Sequence, residues 1–312
     1  MVHLVKASVR MLPDHIKPML AETADKSFDS KEHLFEIKWD GIRCIAFVRN
    51  GSVHLQNRKL SSMTTRYPEL QALREWPDGT VIDGELVVLH EGKPSFNRLA
   101  QREHIVDSRR VIVLAQRLPA TLIAFDLLYE NGQSIMREPL VERRRRLKAL
   151  ATGFSNPHLI VADYILNRGK RYFEEVERVG LEGIMAKRID SLYMPGVRST
   201  SWLKLKVCQT GDFEWIGYIQ REGEYTVSAL LLAERIGDEL LYCGRVGTGF
   251  TEATRRELYQ TIIKTPRLPG RVKDVPREAV LHDTGLKCRV RFFERTEDGC
   301  LRGPVFVELV RP

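Results

Sequence analysis

From Gln209-Thr210-Gly211-Asp212 onward the chain changes texture, and this break constrains the fold more than any other feature. Downstream, residues 213–219, 225–233 and 239–246 form short apolar runs rich in β-branched and aromatic residues, separated by glycine-containing turns, which reads as strands. A helix is expected over 252–264, and further strands over 287–295 and 305–310. Short strands with one interposed helix specify a small, partly open β-barrel. A boundary near residue 208 then gives two domains, 1–208 and 209–312, and 312 residues with 43% hydrophobic content can build a core in each.

The first 208 residues alternate between strand and helix patterns. Residues 1–33 read as a polar lead-in interrupted by Pro13 and Pro18, ending in the helix-compatible Asp29-Ser30-Lys31-Glu32. Strands are expected over 34–38, 44–49 and 53–56, with Asn50-Gly51 supplying the hairpin turn between the last two. Residues 67–76 pattern as a helix, 80–89 as a strand, 121–129 as a buried strand, and 139–150 and 170–179 as helices. The run Arg143 to Arg146 lies in a helix whose Leu140, Leu147 and Leu150 make an apolar stripe, so most of its charge is expected on a solvated face. The whole is of α+β class.

A formal net charge of +8 favours a polyanionic partner, because basic surfaces attract phosphates. Five scattered cysteines with no C-x-x-C pair speak against a zinc site or a disulfide framework. No signal-peptide pattern opens the chain and no apolar run approaches membrane-spanning length, so no membrane partner is expected and a cytoplasmic enzyme is.

Lys38 follows an apolar strand pattern and precedes Asp40-Gly41, a dipeptide suited to a tight turn, which would aim an amine from a sheet edge into a cleft. With the ordinary lysine pKa near 10.4, roughly one lysine in a thousand is free amine near neutral pH, so a nucleophilic lysine needs neighbouring cations. In Trp202-Leu203-Lys204-Leu205-Lys206 the two lysines lie two apart and so share one strand face. Two cations facing one cleft are costly unless an anion joins them. An isolated Lys-x-Asp-Gly is more often an exposed turn lysine, and a lysine-bearing strand face is more often a solvated one; their joint occurrence favours chemistry.

Five clusters occur in order: Glu36-Ile37-Lys38-Trp39-Asp40-Gly41-Ile42-Arg43, Asp83-Gly84-Glu85, Phe125-Asp126-Leu127-Leu128, Glu182-Gly183-Ile184-Met185-Ala186-Lys187 and Trp202-Leu203-Lys204-Leu205-Lys206. This series resembles that of the covalent nucleotidyltransferases, and within them the bacterial ATP-dependent DNA ligases of end joining and repair. The resemblance implies an adenylyltransferase (ATP-grasp-like) domain of antiparallel sheets with flanking helices, followed by an OB-fold barrel. It implies that Lys38 attacks the α-phosphorus of ATP, that Lys204 and Lys206 hold the AMP phosphate, and that Lys187 lies near the nucleotide. Glu36 and Ile37 would contact the nucleotide, Phe125 would stack on adenine with Ile184 opposite, and Glu85 would bind the ribose. Arg43 and Arg58 would reach ribose, phosphate or nick terminus, and Glu182 with Glu85 would serve magnesium, for which manganese could substitute. Leu301-Arg302-Gly303-Pro304 resembles the last ligase motif, making Arg302 a pyrophosphate-orienting residue. The implied partner is nicked duplex DNA, with Ku or a repair polymerase as protein partners and a monomeric, nucleoid-associated bacterial enzyme. An RNA ligase, another nucleotidyltransferase and a non-catalytic nucleic-acid-binding OB protein remain the competing readings.

Overall fold

The computed structural model describes residues 12–220, 223, 225–268, 272–296 and 298–310. The chain divides into two compact units, Met1–Lys206 and Val207–Pro312.

The first unit is built on two sheets. One has five strands in the order Leu20–Thr23, Arg198–Lys206, Gly183–Arg188, His33–Ile37 and Ile165–Leu166. The other runs Ser52–Asn57, Ile42–Arg49, Thr80–His90, Ala120–Glu130 and Gln133–Ser134, with two short strands added at its margins. Neighbours in both are antiparallel, save Leu20–Thr23 against Arg198–Lys206 and Leu159–Val161 against Ala120–Glu130. The α+β class and the antiparallel sheets with flanking helices are those expected.

The second sheet is buried on both faces, and side-chain alternation sorts its residues into separate cores. On Ile42–Arg49, Cys44, Ala46 and Val48 join a cluster with Tyr67, Leu70, Trp76 and Leu147, whereas Ile45 and Phe47 face Met19, Tyr193 and Trp202. That second cluster lies beside the cleft. A third core, of Phe35, Val176, Ile184, Ala186 and Leu205, seats the helix Gly169–Arg178 against the first sheet.

Several expectations need correction. The lead-in expected over residues 1–33 lies outside the described residues at 1–11; from residue 12 it is part of the fold, with Leu12, Ile16 and Met19 buried and Leu20–Thr23 a strand. Leu12, Ile16 and Met19 keep a helical spacing, but Pro13 and Pro18 break the backbone that would use it. The Gln56 amide replaces regular pairing by accepting from the Ile16 N–H at 3.1 Å and donating to its carbonyl at 2.7 Å. Asp29 to Glu32 forms a turn rather than helix. Pro68–Glu75 is a 3-10 helix, and the helices Phe96–Ala100 and Ser108–Arg117 add to the elements expected.

The arginine run is the largest departure. Arg143 and Arg144 are buried, and only Arg145 and Arg146 lie on the solvated face. Arg143 donates from Nε and Nη2 to the two oxygens of Asp126, at 2.8 and 2.9 Å, and from Nη1 to the Ser191 carbonyl at 2.9 Å. A buried carboxylate demands such a partner, which composition alone does not reveal.

In the second unit the strands Glu239–Val246, Val227–Ile236, Gln209–Gln220, Lys287–Phe292 and Val305–Val310 form one antiparallel sheet. Bulges curl it where the register shifts, at Trp215/Gly217 and Leu232/Ala233 among others. The helix Glu252–Ile262, capped by Thr251 accepting from the Thr254 N–H, closes the core with Leu258, Tyr259 and Ile262.

Candidate active site

Pairing of the central strands of the first sheet puts the charged residues together. Ile184 lies opposite Ile37, the Lys38 N–H donates to the Gly183 carbonyl at 2.9 Å, and Lys38 therefore emerges beside Glu182. On the other side Gly183 pairs with Lys206 and Met185 with Lys204. Glycine is required at 183 because a Cβ there would sit 2.0 Å from the Leu205 carbonyl oxygen. Gly41 is similarly confined, its would-be Cβ meeting the Leu86 carbonyl oxygen at 2.2 Å.

These strands wall a cleft of about 340 Å³. From the first sheet come Glu36, Lys38, Met185, Lys187, Trp202, Lys204 and Lys206; from the second come Arg43, Glu85 and Phe125. Ile37 also lines it, and Arg58 and Arg198 stand at its exposed rim.

Lys38 Nζ is ion-paired with one oxygen of Glu182, and Lys206 Nζ lies 2.8 Å from the other. Although burial acts to raise the Glu182 carboxyl, the two ammoniums prevail and hold its pKa below the usual value. Lys204 has the opposite environment: burial, then the charges of Arg198, Lys206, Lys38 and Arg58, lower its pKa. The ensemble is an excess of positive charge around one carboxylate, a cleft suited to an anion.

Glu85 faces Arg43 across the strands. Its burial, reinforced by Asp83 and Glu182 and offset by Arg43 and Lys38, pushes its carboxyl up to about 7. Arg43 in turn is gripped by Asp83, Nε to Oδ1 at 2.5 Å and Nη2 to Oδ2 at 2.6 Å. At the inner end, Lys187 is ion-paired with Glu36, and burial lowers its pKa despite that partner. Its Nζ also lies 4.0 Å from the centre of the Phe125 ring and 4.3 Å from that of Trp202. The other oxygen of Glu36, buried and 3.6 Å from Arg144, accepts no hydrogen bond from the described residues.

One placement differs from expectation. Ile184 faces away from the cleft, fully buried with Phe35, Val176 and Leu205; Met185 lines the cleft instead. Residues two apart share a strand face, so Lys187 in the cleft brings Met185 and excludes Ile184. Arg302 lies in the second unit, on a hairpin where it is ion-paired with Glu294. Sequence reasoning does not single out Arg198, Tyr193 or the Trp202 ring, and it underrates Asp83.

Residues 18–206 match the family model of the ATP dependent DNA ligase domain, and residues 223–311 match that of the ATP dependent DNA ligase C terminal region. This chain belongs to the ATP-dependent DNA ligases. The second of these regions corresponds to the OB-fold domain of the family. Among relatives of the family, the multifunctional non-homologous end joining protein LigD of Mycolicibacterium smegmatis is 34% identical over 97% of this chain, which spans 39% of that protein. DNA ligase C2 of the same organism is 37% identical over 80% of this chain and 71% of its own length. The crystal structure of the ligase domain from M. tuberculosis LigD superposes with a TM-score of 0.58 at 30% identity, covering 96% of each chain. A mycobacterial DNA ligase D complexed with ATP and MES matches equally, with a TM-score of 0.58 at 31% identity over 97% of each.

Proposed function

We propose that this chain seals 5′-phosphate/3′-hydroxyl nicks in duplex DNA at the expense of ATP, through AMP bound covalently to Lys38. The observation that carries this reading is the cleft itself: a lysine beside a carboxylate, ringed by Lys187, Lys204 and Lys206 and open to an anion. In the first step the Lys38 nitrogen forms a bond to the α-phosphorus, the bond to the bridging oxygen breaks, and pyrophosphate leaves. In the second, an oxygen of the nick 5′-phosphate displaces the lysine and takes the AMP. The adjacent 3′-hydroxyl then attacks that phosphate, expelling AMP and closing the phosphodiester.

The residues divide this work by charge and position. Lys204 and Lys206 neutralise the α-phosphate, where charge grows in the transition state. The burial of Lys204 and the charges of Arg198 and Lys206 beside it, which lower its pKa, are compensated when phosphate arrives. Glu182 aims the Lys38 amine and is the nearest carboxylate to its proton. The Glu36 oxygen that accepts no hydrogen bond from the described residues suits the amino group of adenine, and Phe125 with Met185 supplies apolar surface for the base. Glu85, with a pKa of about 7, can accept from ribose hydroxyls or donate to them, and Arg43 and Arg58 serve sugar, phosphate or nick terminus.

Magnesium, or manganese in its place, would supply charge neutralisation at the phosphates. A hard oxygen donor kept ionised fits that ion, which takes one or two carboxylates plus substrate oxygens rather than a protein cage, and Glu182 answers the description. Glu85 would join it once the incoming cation lowers its pKa. Arg302 is assigned to the pyrophosphate on the strength of its motif alone. The names of the relatives support end joining as the setting. We further propose a Ku-type end-binding protein or a repair polymerase as partner, and a monomer working on the bacterial nucleoid in the cytoplasm.

The test combines α-labelled ATP with sealing of a singly nicked duplex in magnesium, Lys38→Ala alongside. Label retained on denatured wild-type protein, and ATP-dependent joining, both lost in the variant, are expected. Joining supported by NAD instead, or label persisting in Lys38→Ala, overturns the assignment.

A further inference from the structure

The two sheets that wall the cleft are joined at one point by a closed ring of hydrogen bonds that includes a tyrosine hydroxyl. Tyr193 lies in the connection between the strands Gly183–Arg188 and Arg198–Lys206 and is 3% exposed. Its hydroxyl donates to Asp83 Oδ2 at 2.6 Å and accepts from the Met19 N–H at 3.1 Å. Asp83, fully buried on the second sheet, spends both oxygens on Arg43, whose Nη2 returns to the Met19 carbonyl at 3.2 Å. The ring closes: tyrosine hydroxyl, aspartate, guanidinium, backbone of residue 19. Met19 leads into the strand Leu20–Thr23 of the first sheet, whereas Asp83 and Arg43 belong to the second.

Within this ring Arg43 is the member that reaches the cleft, its guanidinium carbon 4.7 Å from the centre of the Phe125 ring. An arginine side chain left to itself samples many rotamers, at an entropic cost to any ligand that must fix one. Here Asp83 fixes it, and among the described residues the side-chain donors to Asp83 are the two guanidinium nitrogens and the Tyr193 hydroxyl. The tyrosine ring is itself held, edge-on to Trp202 with centres 5.8 Å apart. Removing the hydroxyl leaves Asp83 short of a donor and Met19 short of an acceptor, and frees the aspartate, with Arg43 on it, to shift.

We infer that Tyr193 is a positioning residue for nucleotide binding, acting through Asp83 to hold Arg43 at the ribose side of the cleft at a set distance from Lys38 across it. The inference rests on the ligase reading above. Tyr193 touches no reacting atom, so its contribution is to seating ATP and not to the displacement at phosphorus.

The experiment measures lysyl-adenylate formation against ATP concentration in wild type, Tyr193→Phe, Arg43→Lys and the double variant, with melting temperature recorded for each. Tyr193→Phe should raise the apparent KM for ATP roughly tenfold while the saturating rate stays within about twofold. In the Arg43→Lys background the same hydroxyl deletion should have little further effect, since its route to the nucleotide is already broken. A KM unchanged in Tyr193→Phe, or multiplied equally in both backgrounds, overturns the inference and leaves a structural hydroxyl. If Tyr193→Phe does not fold, Asp83→Asn replaces it, with a raised KM supporting the inference and an unchanged one refuting it. Absence of any adenylate on the wild-type protein would instead sink the ligase reading itself.

Discussion

Arg143 holds both oxygens of Asp126 with no part of either side chain exposed to solvent. The pair lies under the strand that carries Phe125, and the adjacent Arg144 donates to the Phe125 carbonyl at 2.7 Å. Two arginines that pattern as surface charge thus brace the floor of the cleft from beneath.

Breaking this pair leaves an uncompensated buried carboxylate. Arg143→Ala is expected to destabilise the first unit by about 3–5 kcal/mol, whereas Arg145→Ala, whose guanidinium is largely exposed beside Glu142, should change it by no more than about 0.5 kcal/mol. Urea unfolding of the two variants decides this; equal effects would mean that Asp126 finds another partner.

Glu85 makes stability depend on pH. Its carboxyl titrates at about 7 in the folded chain against 4.5 when unperturbed, so between those values the native state holds a proton that the unfolded chain has released. Its contribution to stability therefore falls as pH rises through that window and is least above pH 7. Glu85→Gln, which stays neutral, should gain on wild type from pH 5 to pH 8 by at most about 3 kcal/mol. Melting temperatures across that range test it, and a difference constant with pH would refute it.

Met185 and Ile184 are neighbours with opposite assignments. Met185→Ala should raise the KM for ATP several-fold and leave stability within about 1 kcal/mol, since the side chain lines an open cleft. Ile184→Ala should cost about 2–5 kcal/mol through the cavity left among Phe35, Val176 and Leu205, with ATP affinity of the folded fraction little changed. Nucleotide titration together with thermal melts separates the two, and a reversed pattern would place Ile184 in the base pocket.

What could be read from the chain and what could not follow from range of interaction. Strands, the Asn50-Gly51 hairpin and the facing lysines 204 and 206 are local patterns, and the structure places them as their periods dictate. Met185 is within reach of the same reasoning once alternation is carried along from Lys187. Other features have no local signature. Arg143 looks like any helical arginine until Asp126 is found 17 positions away, and Tyr193 like a loop tyrosine until Asp83 is found 110 positions away. The buried part of the lead-in escapes notice because Leu12, Ile16 and Met19 carry a helical spacing of four and three residues, which Pro13 and Pro18 contradict.

Among the described residues the strand Leu20–Thr23 joins the first sheet only by pairing in parallel with Arg198–Lys206, and the Met19 N–H finds its acceptor on Tyr193, 174 positions along. During synthesis, therefore, the strand Leu20–Thr23 has no edge to dock on until Arg198–Lys206 has left the ribosome. Hairpins such as that of 42–57 can form as they emerge, but the cleft acquires Lys204, Lys206 and its full complement of cations in a final closure spanning the unit. A nascent or truncated chain ending before residue 198 would carry the nucleophile and yet lack the means to use it.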